Sequence, residues 1–180
     1  MPQAVTHVII ALVVASLIRD FYIKKKNKRR FPLHYVLIAG VAGLLPDIDI
    51  IAFWVLNFFG FSLNQVHRTF THTLFLPLIL LALAFVFARY KNAEVGKHHM
   101  TSKGIFLMLA LGSFIHLLLD ATLSGTVVLF YPLSNFSVGL DLVKYLPIQL
   151  QDLFFPSLDA VILILWLVYV EARHKISDFI

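Results

Sequence analysis

Cysteine is absent from the 180 residues, so neither disulfide bridges nor a thiolate nucleophile or metal ligand can contribute. Charge is scarce as well. Only 14% of residues are charged, against about a quarter in an ordinary soluble domain, and 59% are hydrophobic, with Phe alone filling 17 positions. That deficit excludes a conventional soluble fold. Internal repeats and low-complexity stretches are missing apart from one basic run, and at this length one domain over residues 1–180 is the natural organisation. No small-residue cleavage site follows the first apolar segment, and the positive charges come after its core instead of before it. Residues 4–18 therefore read as a retained helix and not as a secretory signal.

What remains is a series of apolar segments at about 4–18, 33–59, 74–88, 104–119 and 158–170. The second is interrupted at Gly43-Leu44-Leu45-Pro46. Each uninterrupted core is shorter than the roughly 20 residues of a usual crossing, so the helices must gain length from flanking polar residues. The pattern predicts an all-α, polytopic membrane helical bundle with about five membrane segments, the second broken near Pro46. Residues 121–157 mix apolar side chains with isolated charges, which suggests short interfacial helices in an outer loop or cap.

Of the 15 basic residues, only Arg68 and Lys144 lie outside the stretches 19–30, 89–103 and 173–175. These stretches alternate with the apolar segments, the pattern of positive loops on the cytoplasmic side of an inner membrane. The N-terminus is then expected outside and the C-terminus in the cytoplasm, with 60–73 and 121–157 on the outer face. No nucleic-acid partner is expected despite the net charge of +5; membrane lipids are.

Against this apolar background stand three clusters. Pro46-Asp47-Ile48-Asp49 falls at the break, His67-Arg68-Thr69-Phe70-Thr71-His72 precedes the third segment, and His116-Leu117-Leu118-Leu119-Asp120 ends the fourth. A stray ionisable group at mid-bilayer costs roughly 2.5–3.5 kcal/mol on insertion scales, so a cluster needs a partner, and a divalent cation suits Asp and His together. His116 and Asp120, four apart, share one helix face and can grip one ion. Pro46 can open a new helix and leave Asp47 and Asp49 at the broken end, where they could also serve as a cap and a first-turn carboxylate. Arg68 could steer a phosphate or anchor the chain at the headgroups. Thr71 or Thr73 could orient a ligand or cap the turn. By the count of crossings His7, the second half of segment two, His67, His72, His116 and Asp120 all lie at the outer end. His34, His98, His99 and His174 fall towards the inner side as surface or interfacial residues. Asp and His without Cys favour zinc or another divalent transition ion, one or two in number, and oxygen-rich magnesium coordination less so.

The motifs Leu44-Leu45-Pro46-Asp47-Ile48-Asp49, His67-Arg68-Thr69-Phe70-Thr71-His72-Thr73 and His116-Leu117-Leu118-Leu119-Asp120 resemble those of the YdjM-like, LexA-binding, inner-membrane-associated predicted metal-dependent hydrolases, over roughly residues 4–132. The resemblance implies that Asp47, Asp49, His67, His72, His116 and Asp120 are metal ligands. The order of an early His, an Asp, a His and then His-x-x-x-Asp is also similar, more weakly, to zinc-dependent phospholipase C. That likeness adds His7 as a secondary ligand and Asp120 as a bridge between ions. The further His and Glu that would complete a three-ion site do not follow Asp120, since Glu171 and His174 fall on the inner side.

The expected function is a metal-dependent hydrolase at the outer membrane-water interface, cleaving a phosphoester of a lipid or lipid-linked substrate. Asp47 or Asp49 would be the water-orienting base, and Arg68 would offset phosphate charge. A metal or proton transporter, with Asp47, Asp49 and Asp120 along its path, or a non-catalytic scaffold stabilised by metal, are the other classes the pattern allows.

Overall fold

The structure is a computed structural model that describes residues 4–25, 31–89, 94–95 and 100–174. Lys26, Lys28, Arg29, Arg30, Lys91, Lys97, His98, His99 and Lys175 lie outside the described residues. Helix α1 (Ala4–Lys25) is followed by α2 (His34–Ala42), a 3-10 turn (Pro46–Ile48) and α3 (Asp49–Leu56). A second 3-10 turn (Asn57–Phe59) and the short α4 (Leu63–Val66) lead to α5 (Phe75–Arg89). The pair β1 (Glu94–Val95) and β2 (Met100–Thr101) joins α5 to α6 (Ser102–Leu123). Strands β3 (Val127–Val128) and β4 (Ser137–Val138) and a 3-10 turn (Leu142–Tyr145) then precede α7 (Ile148–His174).

The fold is all-α and membrane-like, as the apolar segments predict. Three helical stretches, Ala4–Ile23, Ser102–Leu123 and Ile148–Arg173, are long and apolar enough to cross a bilayer, and the bent pair His34–Ala42 with Pro46–Phe59 makes a fourth if counted as one span. The fifth apolar helix, α5, has 15 residues. At 1.5 Å per residue it reaches about 22 Å, short of a hydrocarbon core of about 30 Å. The other helices do gain length from polar flanks: Arg19 and Asp20 lie within α1, and Ser102 and Lys103 open α6.

Helix α6 is central and packs against α5, α2 and α1, while α7 lies against α1. Close approach of α2 and α6 requires Gly112, because a Cβ there would meet the Ala39 carbonyl and the Ala42 methyl. Around the middle of the bundle Ala15, Phe31, Tyr35, Val36, Ala39 and Met108 form a dry core. Helix α7 is pinned to α1 near both ends, by a buried Thr6–Asp159 hydrogen bond and by the Tyr169 hydroxyl donating to Asp20 at 2.6 Å.

One expectation changes. Residues 148–157 are not short interfacial helices in a loop; they are the opening turns of α7, which carries Pro156 inside it. Apolar side chains on the remaining face of these turns make them continuous with the span that follows. The cap is thus 124–147, where β3 and β4 pair antiparallel with Val127 opposite Val138. The cap is sewn to the bundle by Leu140 N–H to the Ala121 carbonyl at 2.6 Å and Leu74 N–H to the Leu129 carbonyl at 2.9 Å.

Candidate metal centre

Four stretches of chain deliver the polar cluster to one end of the bundle. His7 comes from the first turns of α1, Asp47 and Asp49 from the break after α2, His67, Arg68 and His72 from the segment before α5, and His116 and Asp120 from one face of α6. Pro46 occupies the first position of the 3-10 turn, where its missing N–H costs no hydrogen bond, and its ring starts the new direction 53° away from α2. The break frees backbone carbonyls as well, and that of Gly43 accepts from His116 Nδ1 at 2.6 Å.

That contact fixes a tautomer. A carbonyl can only accept, so the His116 proton sits on Nδ1 and the Nε2 lone pair points inward. His72 lies between two carboxylates, with Nδ1 3.2 Å from Asp49 Oδ2 and Nε2 3.3 Å from Asp47 Oδ1. The two Nε2 atoms face each other at 3.2 Å. His72 Nε2 is also 3.3 Å from Asp47 Oδ1 and 3.7 Å from Asp120 Oδ2, and His116 Nε2 is 3.6 Å and 3.7 Å from the same two oxygens. Zinc–ligand distances of about 2.0–2.1 Å give a tetrahedron with edges of about 3.3–3.4 Å. The observed spacings bracket that edge.

Charge leads to the same fit. Three buried or half-buried carboxylates, Asp47, Asp49 and Asp120, face one guanidinium, Arg68, leaving a deficit that a dication would balance. Two buried imidazole nitrogens, His7 Nδ1 and His67 Nε2, have no hydrogen-bond partner. Burial opposes a charge on His72, yet the neighbouring Asp47 and Asp49 carboxylates outweigh it and raise its pKa above the ordinary histidine value. A cation, proton or metal, is what this pocket favours.

The expected ligands do not all stand alike. His72, His116 and Asp120 form one group able to hold an ion, His7, Asp47 and His116 a second, and Asp47, His67 and His72 a third. Asp47 is shared by two of these, so the residues suffice for one ion and leave His7 and His67 to flank it or to help hold another. His7 stacks on His116 with ring centroids 3.8 Å apart and puts Nε2 3.5 Å from Asp120 Oδ1.

Asp49 is the most heavily hydrogen-bonded of the three carboxylates. Its Oδ1 accepts from His67 Nδ1 at 2.9 Å, and its Oδ2 from the Arg68 N–H at 3.1 Å and the Thr71 hydroxyl at 2.8 Å, in addition to His72. So engaged, Asp49 orients two imidazoles and closes the loop. Thr71 is therefore an orienting residue, while Thr73 caps the turn by donating to the Phe70 carbonyl at 2.9 Å. Arg68, in a left-handed conformation (φ 62°), does not reach out to headgroups. It turns inward, donating to the Ser124 carbonyl at 3.1 Å and approaching Asp120 Oδ2 at 3.3 Å. The Gly43 and Ser124 carbonyls were not foreseeable from side-chain motifs. The only sequence hint of the first was its place beside Pro46. His34 is half-buried at the start of α2, away from the cluster.

A family model described as YdjM inner membrane protein matches residues 1–175. The chain belongs to the YdjM inner membrane protein family. The match spans all seven helices and every polar residue of the cluster, so membership rests on the whole bundle and not on the motifs alone. Neither the curated proteins nor the solved structures yielded a match. Membership makes this an inner-membrane protein, in keeping with its apolar helices.

Proposed function

We propose that the protein is a metal-dependent hydrolase acting at the outer membrane-water interface on a phosphoester of a lipid or lipid-linked molecule. The observation that carries this reading is the convergence of His72 Nε2, His116 Nε2 and Asp120 Oδ2 within reach of one ion, with Asp47 Oδ1 3.3 Å and 3.6 Å from the two imidazoles, inside a membrane bundle. A divalent ion, zinc by its donor set, would be held there, and when bound would supply Lewis acidity and a more acidic water. Hydrolysis adds water across a P–O bond: the water oxygen joins phosphorus, the ester bond breaks, and the departing oxygen takes a proton. Asp47 is the most exposed of the three carboxylates, with 22% of its side chain accessible, and is the group positioned to accept the proton of the attacking water. Arg68 Nε has no hydrogen-bond acceptor among the described residues, and with Nη2 3.3 Å from Asp120 Oδ2 the guanidinium would take a phosphoryl oxygen beside that carboxylate. Through Ser124 the same arginine adjoins a cavity of about 480 Å³ lined by Asp141, Lys144, Gln151 and Asp152, roomy enough for a polar headgroup. The basic stretches at 19–30 and 89–103 support putting the cluster on the outer side.

Transport is less well supported. A path to the opposite face would have to pass the dry core of Ala15, Phe31, Val36, Ala39 and Met108. The deciding experiment measures bound metal and turnover together on protein extracted gently into lipid nanodiscs. We expect at least one equivalent of metal, phosphoester cleavage by the loaded protein, and loss of both in Asp120→Ala. Less than one equivalent in the parent protein, or turnover unchanged by Asp120→Ala, would end the hydrolase reading. Metal retained without turnover on any lipid phosphoester would favour a structural ion.

A further inference from the structure

Between Asp49 and Arg68 the sequence contains no Asp, Glu, Lys or Arg. The chain leaves the cluster at Asp49, runs through α3, the second 3-10 turn and α4, and returns to the same carboxylate, which is bonded by His67 Nδ1 at 2.9 Å and by the Arg68 N–H at 3.1 Å. Residues 50–66 are thus a closed excursion, out and back from one point. Eight residues of α3 and three of the 3-10 turn reach about 12 Å plus about 6 Å, far short of a bilayer's roughly 30 Å hydrocarbon core. An excursion whose ends share one carboxylate does not carry the chain to the other face.

Its surface is largely apolar, with Asn57, Ser62 and Gln65 the exposed polar side chains among the described residues. Phe58 is 89% exposed, Phe59 75%, Trp54 70% and Ile51 66%. The membrane-facing row of α2 continues onto it without a polar gap: Leu37, Val41, Leu44, Ile48, Ile51 and Val55 follow one another at helical spacing across the break. Three backbone N–H groups at its tip find acceptors within the segment, which lowers the cost of placing it in hydrocarbon. Gly60 N–H donates to the Asn57 carbonyl at 3.1 Å, Phe61 N–H to Leu56 at 3.3 Å, and Ser62 N–H to the Gln65 side chain at 2.8 Å. Gly60 makes the turn possible with φ of +85°.

We propose that residues 50–66 are a re-entrant hairpin embedded in the acyl region of a single leaflet, continuous with the lipid-facing side of α2, and that the polar cluster sits at its root. The bent α2–α3 pair is then not a complete crossing. Lipid reaches the cluster sideways from that leaflet. The hairpin's immersion stands independently of the hydrolase reading, and its tests do not require turnover.

The chain has two tryptophans, Trp54 and Trp166, and no cysteine, which makes the test direct. In Trp166→Phe protein reconstituted into phosphatidylcholine vesicles, Trp54 emission should be quenched several-fold more by lipids carrying a nitroxide on the acyl chain than by aqueous iodide. Dominant quenching by iodide would put the hairpin in water, and protection from both quenchers would put it under another protein surface. Either result overturns the proposal. Phe58→Cys gives a second, independent reading: its thiol should resist a charged, membrane-impermeant maleimide in intact vesicles and react after detergent is added. Reaction at equal rates in both would reject immersion even if the Trp166→Phe protein failed to fold. Metal content of the Phe58→Cys protein should match the parent, which separates failure here from failure of the metal site.

Discussion

The two halves of α6 bury themselves against the same neighbours by opposite chemistry. Towards its N-terminus, Met108 packs on Tyr35, Phe31, Val36 and Ala39 in a dry cluster, and the Tyr35 hydroxyl accepts the one nearby backbone donor, the Thr101 N–H, at 2.7 Å. Towards its C-terminus, His116 and Asp120 meet His7, His72 and Asp47. The first half is complete as it stands, because apolar contacts need nothing further. The second gathers imidazole nitrogens and carboxylate oxygens, an arrangement that a cation, proton or metal, stabilises. One helix thus carries an apolar post at one end and a polar cluster at the other, with Gly112 at the junction letting α2 approach both.

The sharpest way to break this contrast is Asp120→Ala. Losing a carboxylate shared by His72, His116 and Arg68 should abolish stoichiometric metal, read by elemental analysis, while helix content by circular dichroism persists. Retention of a full equivalent would mean that the polar end is held by hydrogen bonds alone. At the opposite end, Met108→Ala should lower stability by about 2–5 kcal/mol in detergent unfolding yet leave metal content unchanged; a coupled loss of metal would show that the halves are not separable. Asp49→Ala should sharpen the distinction between holding an ion and orienting its ligands. We expect metal affinity to fall about 10- to 100-fold instead of vanishing, in competition with a chelating dye, and an effect as large as that of Asp120→Ala would place Asp49 among the ligands. The smallest change is expected from Thr6→Val, which removes the hydrogen bond to Asp159 and should cost on the order of 1–3 kcal/mol by loosening α7, with metal untouched.

Much of this was legible before any coordinates. The break at Pro46, the helices before and after it and the shared face of His116 and Asp120 follow from local rules: a missing N–H, apolar length, a spacing of four. The gathering of His7, Asp47, His67, His72, His116 and Asp120 at one end followed from counting apolar segments and basic loops. Less was legible where function depends on direction. Asp47 and Asp49 differ in sequence by one intervening residue, and nothing local says that one faces the ion pocket while the other is consumed by His67, Arg68, Thr71 and His72. The start of α7 at Ile148 was hidden because Asp152 and Pro156 look like loop residues until the apolar remainder of the turn is seen to continue into the span.

Composition and patterning alone determined that this chain is a membrane-embedded helical bundle with hard ligands gathered at one end, since hydrocarbon tolerates little else from so many apolar residues and so few charges. Only tertiary structure decided which lone pairs point inward. The Gly43 carbonyl fixes the tautomer of His116 from an element distant in sequence, and a tautomer is set by the acceptor that a ring meets in space, not by its neighbours along the chain.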